Sequence, residues 1–578
     1  MNVQEGYSPT LESPPDSDFF HDKTLSDRHS SSHDSTDEAT YSADNAATSE
    51  SQGAVGSGWT YKAPVLLTVL LLSIGSSYTN SSMSTLKTVL MKNTYYHGEL
   101  ISGAKYGVMT SASHLINAIL PVFSGVIIDY YGPAYMSLVS STWIFVGCLL
   151  VAIGAQRGDF NIITGGDILQ GIGNTTINTC QLKLYAHWFR GTVGGGPGII
   201  GFVTGLDIAF NRIFGLLATV TPIPLFESTG KWYWAFWLGT IFSGFAWVLN
   251  VVYVCYDRML PPHMKITTGY KLTKKSMHRG GLFYHLRAHL TQLLATIALI
   301  PASFWVLTIM QLLQSGVVGT YENNSVDILT QTRSGRSSAS YKQASYTYSM
   351  HYAIPIVLTP LMGLGFDKLG HRSHVISMAA SLYVISMCIM GFTTVHPVAP
   401  LLFDAFAYTI NAVPFIATIP LLVYNQAAIG TAHGIWKAFN SAGSTIMQIA
   451  GGAMQDRAIV DGAGPEDMYN YMLYLLIALK SVDIVYGFVY HYLDTHYFGS
   501  RMLLTEKQRI EKEKEETEED RQQGLRAPKR FWTWFGCFVL TLMIATSYAL
   551  FVLYWITNSQ AKPGQLTAQK KGSTSRKA

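Results

Sequence analysis

Charge is what this sequence lacks. Only 13% of its 578 residues are Asp, Glu, Lys or Arg, about half the roughly 25% of an ordinary soluble domain, so water is a poor solvent for most of the chain. Cysteine is sparse as well. Cys148, Cys180, Cys255, Cys388 and Cys537 all lie in apolar stretches, and none forms a CxxC pair or a metal-type cluster. A disulfide framework and a zinc site are thereby excluded, and the five read as small buried hydrophobes. No nucleophile stands beside a base, and there is no metal spacing or phosphate loop. An enzyme is not expected, nor any cofactor or metal. The first 58 residues hold no apolar leader, so the first membrane span is expected to act as its own insertion signal.

What is present is a series of apolar stretches about 20 residues long, the length a helix needs to cross a ~30 Å hydrocarbon core. Glycine is abundant, with 51 residues, and in lipid small residues let helix backbones approach closely. The spans are expected at 63–85, 104–128, 134–155, 161–185, 195–222 and 232–256, and then at 292–318, 346–366, 374–394, 398–422, 427–454 and 468–492. The domain plan is a disordered tail at 1–58, a six-helix half at 59–256, a basic loop at 257–291 and a second six-helix half at 292–495. A charged segment at 496–530, a thirteenth helix at 531–556 and a basic tail at 557–578 complete it. The tail at 1–58 is rich in Ser, Asp, Thr and Glu and too poor in aliphatic residues to build a core. The segment 505–530 has strong helix formers and no apolar face, which predicts a solvated helix. The run Phe531–Ile556 has aromatic residues at both ends and no charge within it, as a peripheral span would.

Arg258, Lys265, Lys271, Lys274, Lys275, Arg279 and Arg287 crowd the connection after the sixth span. The positive-inside rule puts that connection in the cytosol, together with both ends of the twelve-span core. Glu322 and Asp327 then fall in a loop on the other side, and Asn323-Asn324-Ser325 matches a glycosylation acceptor there.

A repeat defines the superfamily. The chain reads Gly125-Val-Ile-Ile-Asp129-Tyr-Tyr-Gly132 between spans 2 and 3. It reads Gly363-Leu-Gly-Phe-Asp367-Lys368-Leu-Gly370-His371-Arg372 between spans 8 and 9. One GxxxDxxG would mark a tight turn; two at equivalent positions indicate a parallel duplication, as in the halves of major facilitators. The glycines permit close helix contact. The aspartates can meet Arg372, or the N-terminus of a neighbouring helix. The expected fold is all-α and polytopic: two six-helix bundles of the major facilitator type plus one C-terminal helix. Making and breaking the aspartate contacts would bias inward-open against outward-open states.

Charged residues inside spans cost several kcal/mol and generally face a cavity or a partner. Asp207, Arg212, Asp404 and Lys437 stand out. Asp207 and Arg212, five residues apart, are about 140° apart on a helix. Lys437 either faces the cavity or pairs with Asp404 or Asp207. Asp404 reads as structural, and His114 and His351 as interface histidines. Among the mid-span amides and phenols, Gln181, Asn178, Gln314 and Tyr348 suit the polar backbone of a small solute.

Several segments carry a closer resemblance: GIGNTTINTCQLKLYAHWFRG, GLDIAFNRIFG, FWVLTIMQLLQSGVVG, YAIPIVLTPLMGLGFDKLGHR and IGTAHGIWKAFNSAG. Over roughly residues 60–495 the chain resembles the lysosomal dipeptide transporter subgroup of the major facilitator superfamily and its fungal relatives. The resemblance implies uniport of dipeptides, cationic ones preferred, out of an acidic organelle. It also implies a glycosylated single-pass accessory protein as a partner, beside the bilayer and a small-molecule substrate. Gly171, Gly173, Gln181, Trp188, Phe189 and Arg212 are shared, and Arg212 matches the arginine expected to hold the peptide carboxylate. Thr175 stands where the subgroup has a glutamate, Lys437 where it has an uncharged polar residue, and Asp207 where it has an amide.

Three functions are therefore weighed: a facilitative or proton-coupled carrier of dipeptides or similar zwitterions in a lysosomal, vacuolar or plasma membrane; an organic-anion or monocarboxylate carrier; and a transport-inactive sensor on the same fold. Nothing points to nucleic acid.

Overall fold

The computed structural model describes residues 58–266, 297 and 300–560, apart from short gaps at 87–88, 91–92, 97–98, 101–102, 192–196, 333–337, 424–427, 465–466 and 524–529. The expected disordered tail, most of the basic loop and most of the basic C-terminal tail lie outside the described residues, as does the side chain of His114.

The first bundle consists of α1 (Trp59–Thr85), α2 (Gly103–Tyr131), α3 (Pro133–Arg157), α4 (Phe160–Phe189), α5 (Ile200–Val220) and α6 (Trp234–Met259). The second consists of α7 (Ala302–Thr330), α8 (Gln343–Leu369), α9 (Arg372–Phe392), α10 (Val398–Leu422), α11 (Ile429–Val460) and α12 (Asn470–Tyr497). The charged helix α13 (Glu506–Gln523) and the apolar α14 (Arg530–Gln560) follow. A two-residue ribbon, Tyr95–Tyr96 with Glu99–Leu100, precedes α2. Within each bundle the helices pack on one another. Between bundles, α2 packs along α11 and α5 along α8.

Among the described residues, ten helices are long and apolar enough to cross a bilayer, α14 included. Of the others at expected span positions, α4 and α11 carry many polar side chains, several of them buried, and the described part of α2 is an apolar helix over Leu115–Tyr131. The outer surface shows the opposite pattern. Ile241, Phe245, Val248 and Val252 form an exposed apolar stripe down α6, and Val482, Val485, Phe488 and Tyr492 form one down α12. Apolar outside and polar inside is the order lipid imposes. The chain is a multi-pass membrane protein.

Small residues set the close packing. A Cβ added at Gly147 or Gly166 would fall within 2.9 Å of the facing backbone across the α3–α4 contact. The α3 helix opens with Pro133 after Gly132. The α4 helix opens on Asp159, whose carboxylate accepts from the N–H of Asn161 at 2.8 Å, the usual means of satisfying an orphan N-terminal donor.

Three sequence expectations change. Helix α7 does not end near 318: its backbone passes a π-turn at Leu312–Gly316 and continues to Thr330. Glu322 and Asn323 are therefore helical residues rather than loop residues. The first turn of α13 is not solvated, since Glu506 and Arg509 are only 2% and 3% exposed. Cys255 is exposed on α6, and of the other cysteines only Cys148 and Cys180 are fully buried. Helix α14 lies against α7, α11 and α2, with the Tyr548 hydroxyl donating to the Leu115 carbonyl at 3.2 Å.

Candidate functional site

A cavity of about 190 Å³ lies between the bundles, walled by α4, α5, α10 and α11. It is smaller than the ~300–1,000 Å³ of pockets for drug-sized ligands and suits a small solute. Arg212, Asp207, Lys437, Gln181 and Asn178 line it, as do Asn211, Tyr185, Tyr408, His433 and Trp436, which the sequence did not single out.

Each charged group is held differently. Asp207 accepts from the Tyr185 hydroxyl at 2.8 Å and from the Gln181 amide at 3.3 Å. That amide also donates to the Val69 carbonyl at 2.7 Å. The Arg212 guanidinium lies over the Tyr408 ring, 3.6 Å from its centroid, and 5.1 Å from that of Tyr352. These are cation–π distances. Its Nη1 meets His351 Nε2 at 3.2 Å. Lys437, half-buried on α11, has no ion pair or hydrogen bond among the described residues. Neither Asp404 nor Asp207 is its partner. The Trp436 indole N–H and the Gln181 carbonyl oxygen, both buried atoms, are also unpartnered among those residues.

Three of the sequence candidates do not line the cavity. Gln314 donates to Asp483 at 2.6 Å, inside a buried cluster with Lys480. Thr175 donates to Asn117 at 2.6 Å. Tyr348 stacks on His351 at 5.2 Å and donates to the Glu322 carbonyl at 3.3 Å, behind Arg212. Sequence reasoning also passed over Lys183, although its charge within the span at 161–185 was signal enough.

The two repeat motifs sit at matching corners. Asp129 accepts from the N–H groups of Gly430 and Thr431 at 3.1 and 2.8 Å, from the Thr431 hydroxyl at 2.7 Å and from Lys183 at 2.5 Å. Asp367 accepts from the N–H groups of Gly201 and Phe202, both at 3.0 Å, with Arg372 Nη2 at 3.5 Å. A carboxylate of one bundle thus caps the first turn of a helix in the other, where orphan N–H groups and the helix dipole favour an anion. Gly125 and Gly363 make this approach feasible. An added Cβ would lie 2.3 Å from the Gly430 oxygen at one corner and 2.2 Å from the Gly201 oxygen at the other. Gly132 and Gly370 end the motifs at φ 95 and φ 68, conformations that a side chain opposes.

Fold and site together define a class: an α-helical membrane protein of the major facilitator fold, with a polar cavity between two bundles whose ends are tied at one side. The proteins it is similar to are transporters. It is 21% identical over 456 residues to "Lysosomal dipeptide transporter MFSD1" of Pongo abelii, covering 77% of this chain and 89% of that one. The Homo sapiens protein of the same name matches with the same identity and coverage. Among solved structures, the proton:xylose symporter XylE bound to 6-bromo-6-deoxy-D-glucose superposes with a TM-score of 0.54 at 14% identity, over 75% of this chain and 96% of that one. No family profile matches the chain.

Proposed function

We propose that the chain is a secondary transporter that moves small zwitterionic or carboxylate-bearing solutes, dipeptides foremost, across a lysosomal or vacuolar membrane by alternating access. One observation carries the substrate class. Arg212 and Lys437 share a cavity with a single acid, Asp207, and Asp207 is already engaged by Tyr185 and Gln181. A lone carboxylate would find two cations there. The names of the MFSD1 relatives support the dipeptide and the organelle. The aspartate corners support alternating access, since they tie the two bundles through contacts that can be released and remade. With Thr175 outside the cavity and no acid in its place, neutral and acidic dipeptides should be accepted at least as well as cationic ones.

The same pair of cations suits a simple organic anion, which is the second reading. Uptake by proteoliposomes, tested against dipeptides, single amino acids and monocarboxylates, separates the two. Dipeptide uptake abolished by Arg212→Gln is the expected result. Uptake of monocarboxylates alone would select the second reading, and uptake of nothing in the panel would end both.

A further inference from the structure

Behind Arg212, away from the solute, stands a group of acids and a histidine that the proposed binding of a carboxylate does not use. His351 is fully buried on α8. Its Nδ1 lies 2.5 Å from Asp404 Oδ2 on α10, and its Nε2 lies 3.7 Å from Glu322 Oε1 on α7. The other groups facing it are Tyr348 and Tyr352 of its own helix, Tyr408 of α10 and Arg212 of α5. Tyr321 of α7 and Tyr383 of α9 belong to the same buried layer.

Donor and acceptor roles follow from chemistry. A guanidinium can only donate, so His351 Nε2 must accept from Arg212. The Nδ1 then carries the hydrogen and donates to Asp404. In this neutral tautomer Arg212 is held by the histidine, and the buried group holds one cation, Arg212, against two carboxylates, Glu322 and Asp404. Adding one proton to Nε2 removes the acceptor. Two N–H groups, one on each cation, would then point at each other, and the new Nε2–H would turn to Glu322. The buried group becomes charge-balanced, with Arg212 and His351 against Glu322 and Asp404. Glu322, 20% exposed at its side chain, is the least buried of the three, although its Oε1, which faces His351, is itself buried. A metal is the poorer occupant, because Arg212 already holds the Nε2 face.

We propose that Glu322, His351 and Asp404 form a proton site coupled to Arg212: protonation of His351 releases the guanidinium to a carboxylate in the cavity, so that proton and anion are carried together. The proton enters through Glu322, resides on His351 Nε2 and leaves when Arg212 returns to that nitrogen, so that one proton moves for each solute molecule. This rests on the transporter reading above.

The test uses the full-length protein in proteoliposomes, with the membrane potential clamped and labelled Glu-Ala as solute. Counterflow without a pH gradient measures transport itself. Accumulation under a one-unit gradient, acid outside, measures coupling. The wild type should accumulate about tenfold, the limit for one proton per pH unit. In His351→Gln and in Glu322→Gln, the ratio of gradient-driven accumulation to counterflow should fall about tenfold. Counterflow without accumulation in the wild type would overturn the proton site and leave the transporter standing. Accumulation that survives both substitutions would place the proton elsewhere and overturn it equally. Loss of counterflow for every solute would remove the transporter reading, and this proposal with it. Should the variants fail to fold, substrate-induced proton uptake by wild-type protein in weakly buffered detergent, followed across the neutral and mildly acid range, gives a second readout, and zero uptake throughout contradicts the proposal.

Discussion

At the α2–α3 corner, Asp129 receives three hydrogen bonds from α11 and a fourth from Lys183. At the α8–α9 corner, Asp367 receives two from α5 and has Arg372 only at 3.5 Å. The backbone solution is the same, yet the second corner is the weaker one by itself. It is reinforced by the segment that follows α12. The N–H groups of His371 and Arg372 donate to the carbonyls of Leu503 and Met502 at 3.3 and 2.9 Å. Glu506 accepts from the Gly191 N–H at 3.1 Å, and Arg509 donates to the Gly191 carbonyl at 2.8 Å and to Glu506 at 2.7 Å. Helix α13, which continues the second bundle, thereby grips the loop between α4 and α5 of the first. Duplication supplied two equal corners, and the appended segment made up what one of them lacks.

Substitutions can break this comparison. Asp129→Asn should have the largest effect. It leaves Lys183, itself buried, without its anion, at a cost of about 3–5 kcal/mol, read as a lowered melting temperature in detergent. Adding Lys183→Met should recover most of the loss, because replacing the whole pair by apolar groups is far cheaper than breaking it. Asp367→Asn should cost about 1–3 kcal/mol, since Arg372 keeps the Phe366 carbonyl at 3.3 Å. An equal loss at the two positions would mean that Lys183 contributes nothing. Gly125→Ala and Gly363→Ala, in contrast, should each cost about 1–3 kcal/mol and match one another. Distances between spin labels across the tied end should lengthen in both.

The smallest effect is expected at the added segment. Arg509→Ala should weaken closure by about 1–2 kcal/mol and should make Asp367→Asn more damaging but not Asp129→Asn. Burial pushes the Glu506 carboxyl up, but Arg509, helped by Arg372 and Arg190, holds it below the usual carboxylate range. A depressed carboxylate contributes fully above its unfolded value of about 4.3. Its contribution is lost only as pH falls through the lower folded value. The Arg509→Ala deficit should accordingly be the same at pH ~5.5 and ~7.5 and shrink only in stronger acid, a pattern that spin-label distances followed from neutral to strongly acid pH would check.

The corners were legible in the sequence because their chemistry is local: a glycine that admits a neighbour, a carboxylate at a helix end and a glycine at positive φ, repeated. Arg212, Asp207 and Lys437 were legible because charge inside an apolar run is costly and needs a reason. Gln314 and Thr175 were misjudged for another cause. Which way a mid-span amide or hydroxyl points depends on the rotation of its helix, which only packing sets. In α7 the π-turn at Leu312–Gly316 shifts the helical phase at Gln314 itself. The same helix hid Glu322: its apolar run stops near 318 while its backbone continues inside the protein, so an acid that approaches His351 read as a loop residue. The grip of α13 on Gly191 joins residues more than 300 positions apart, and nothing in a run of Glu and Lys announces it.

The charge preference of the cavity is the property most directly open to measurement. Glu-Ala and Lys-Ala should be set against labelled Ala-Ala in proteoliposomes bearing the wild type, Lys437→Gln and Asp207→Asn. Glu-Ala should compete at least as well as Lys-Ala in the wild type, and Lys437→Gln should move the preference toward Lys-Ala by about tenfold, or ~1.4 kcal/mol. A strong wild-type preference for Lys-Ala, abolished by Asp207→Asn, would show that Asp207 governs the site and would contradict a selective role for Lys437.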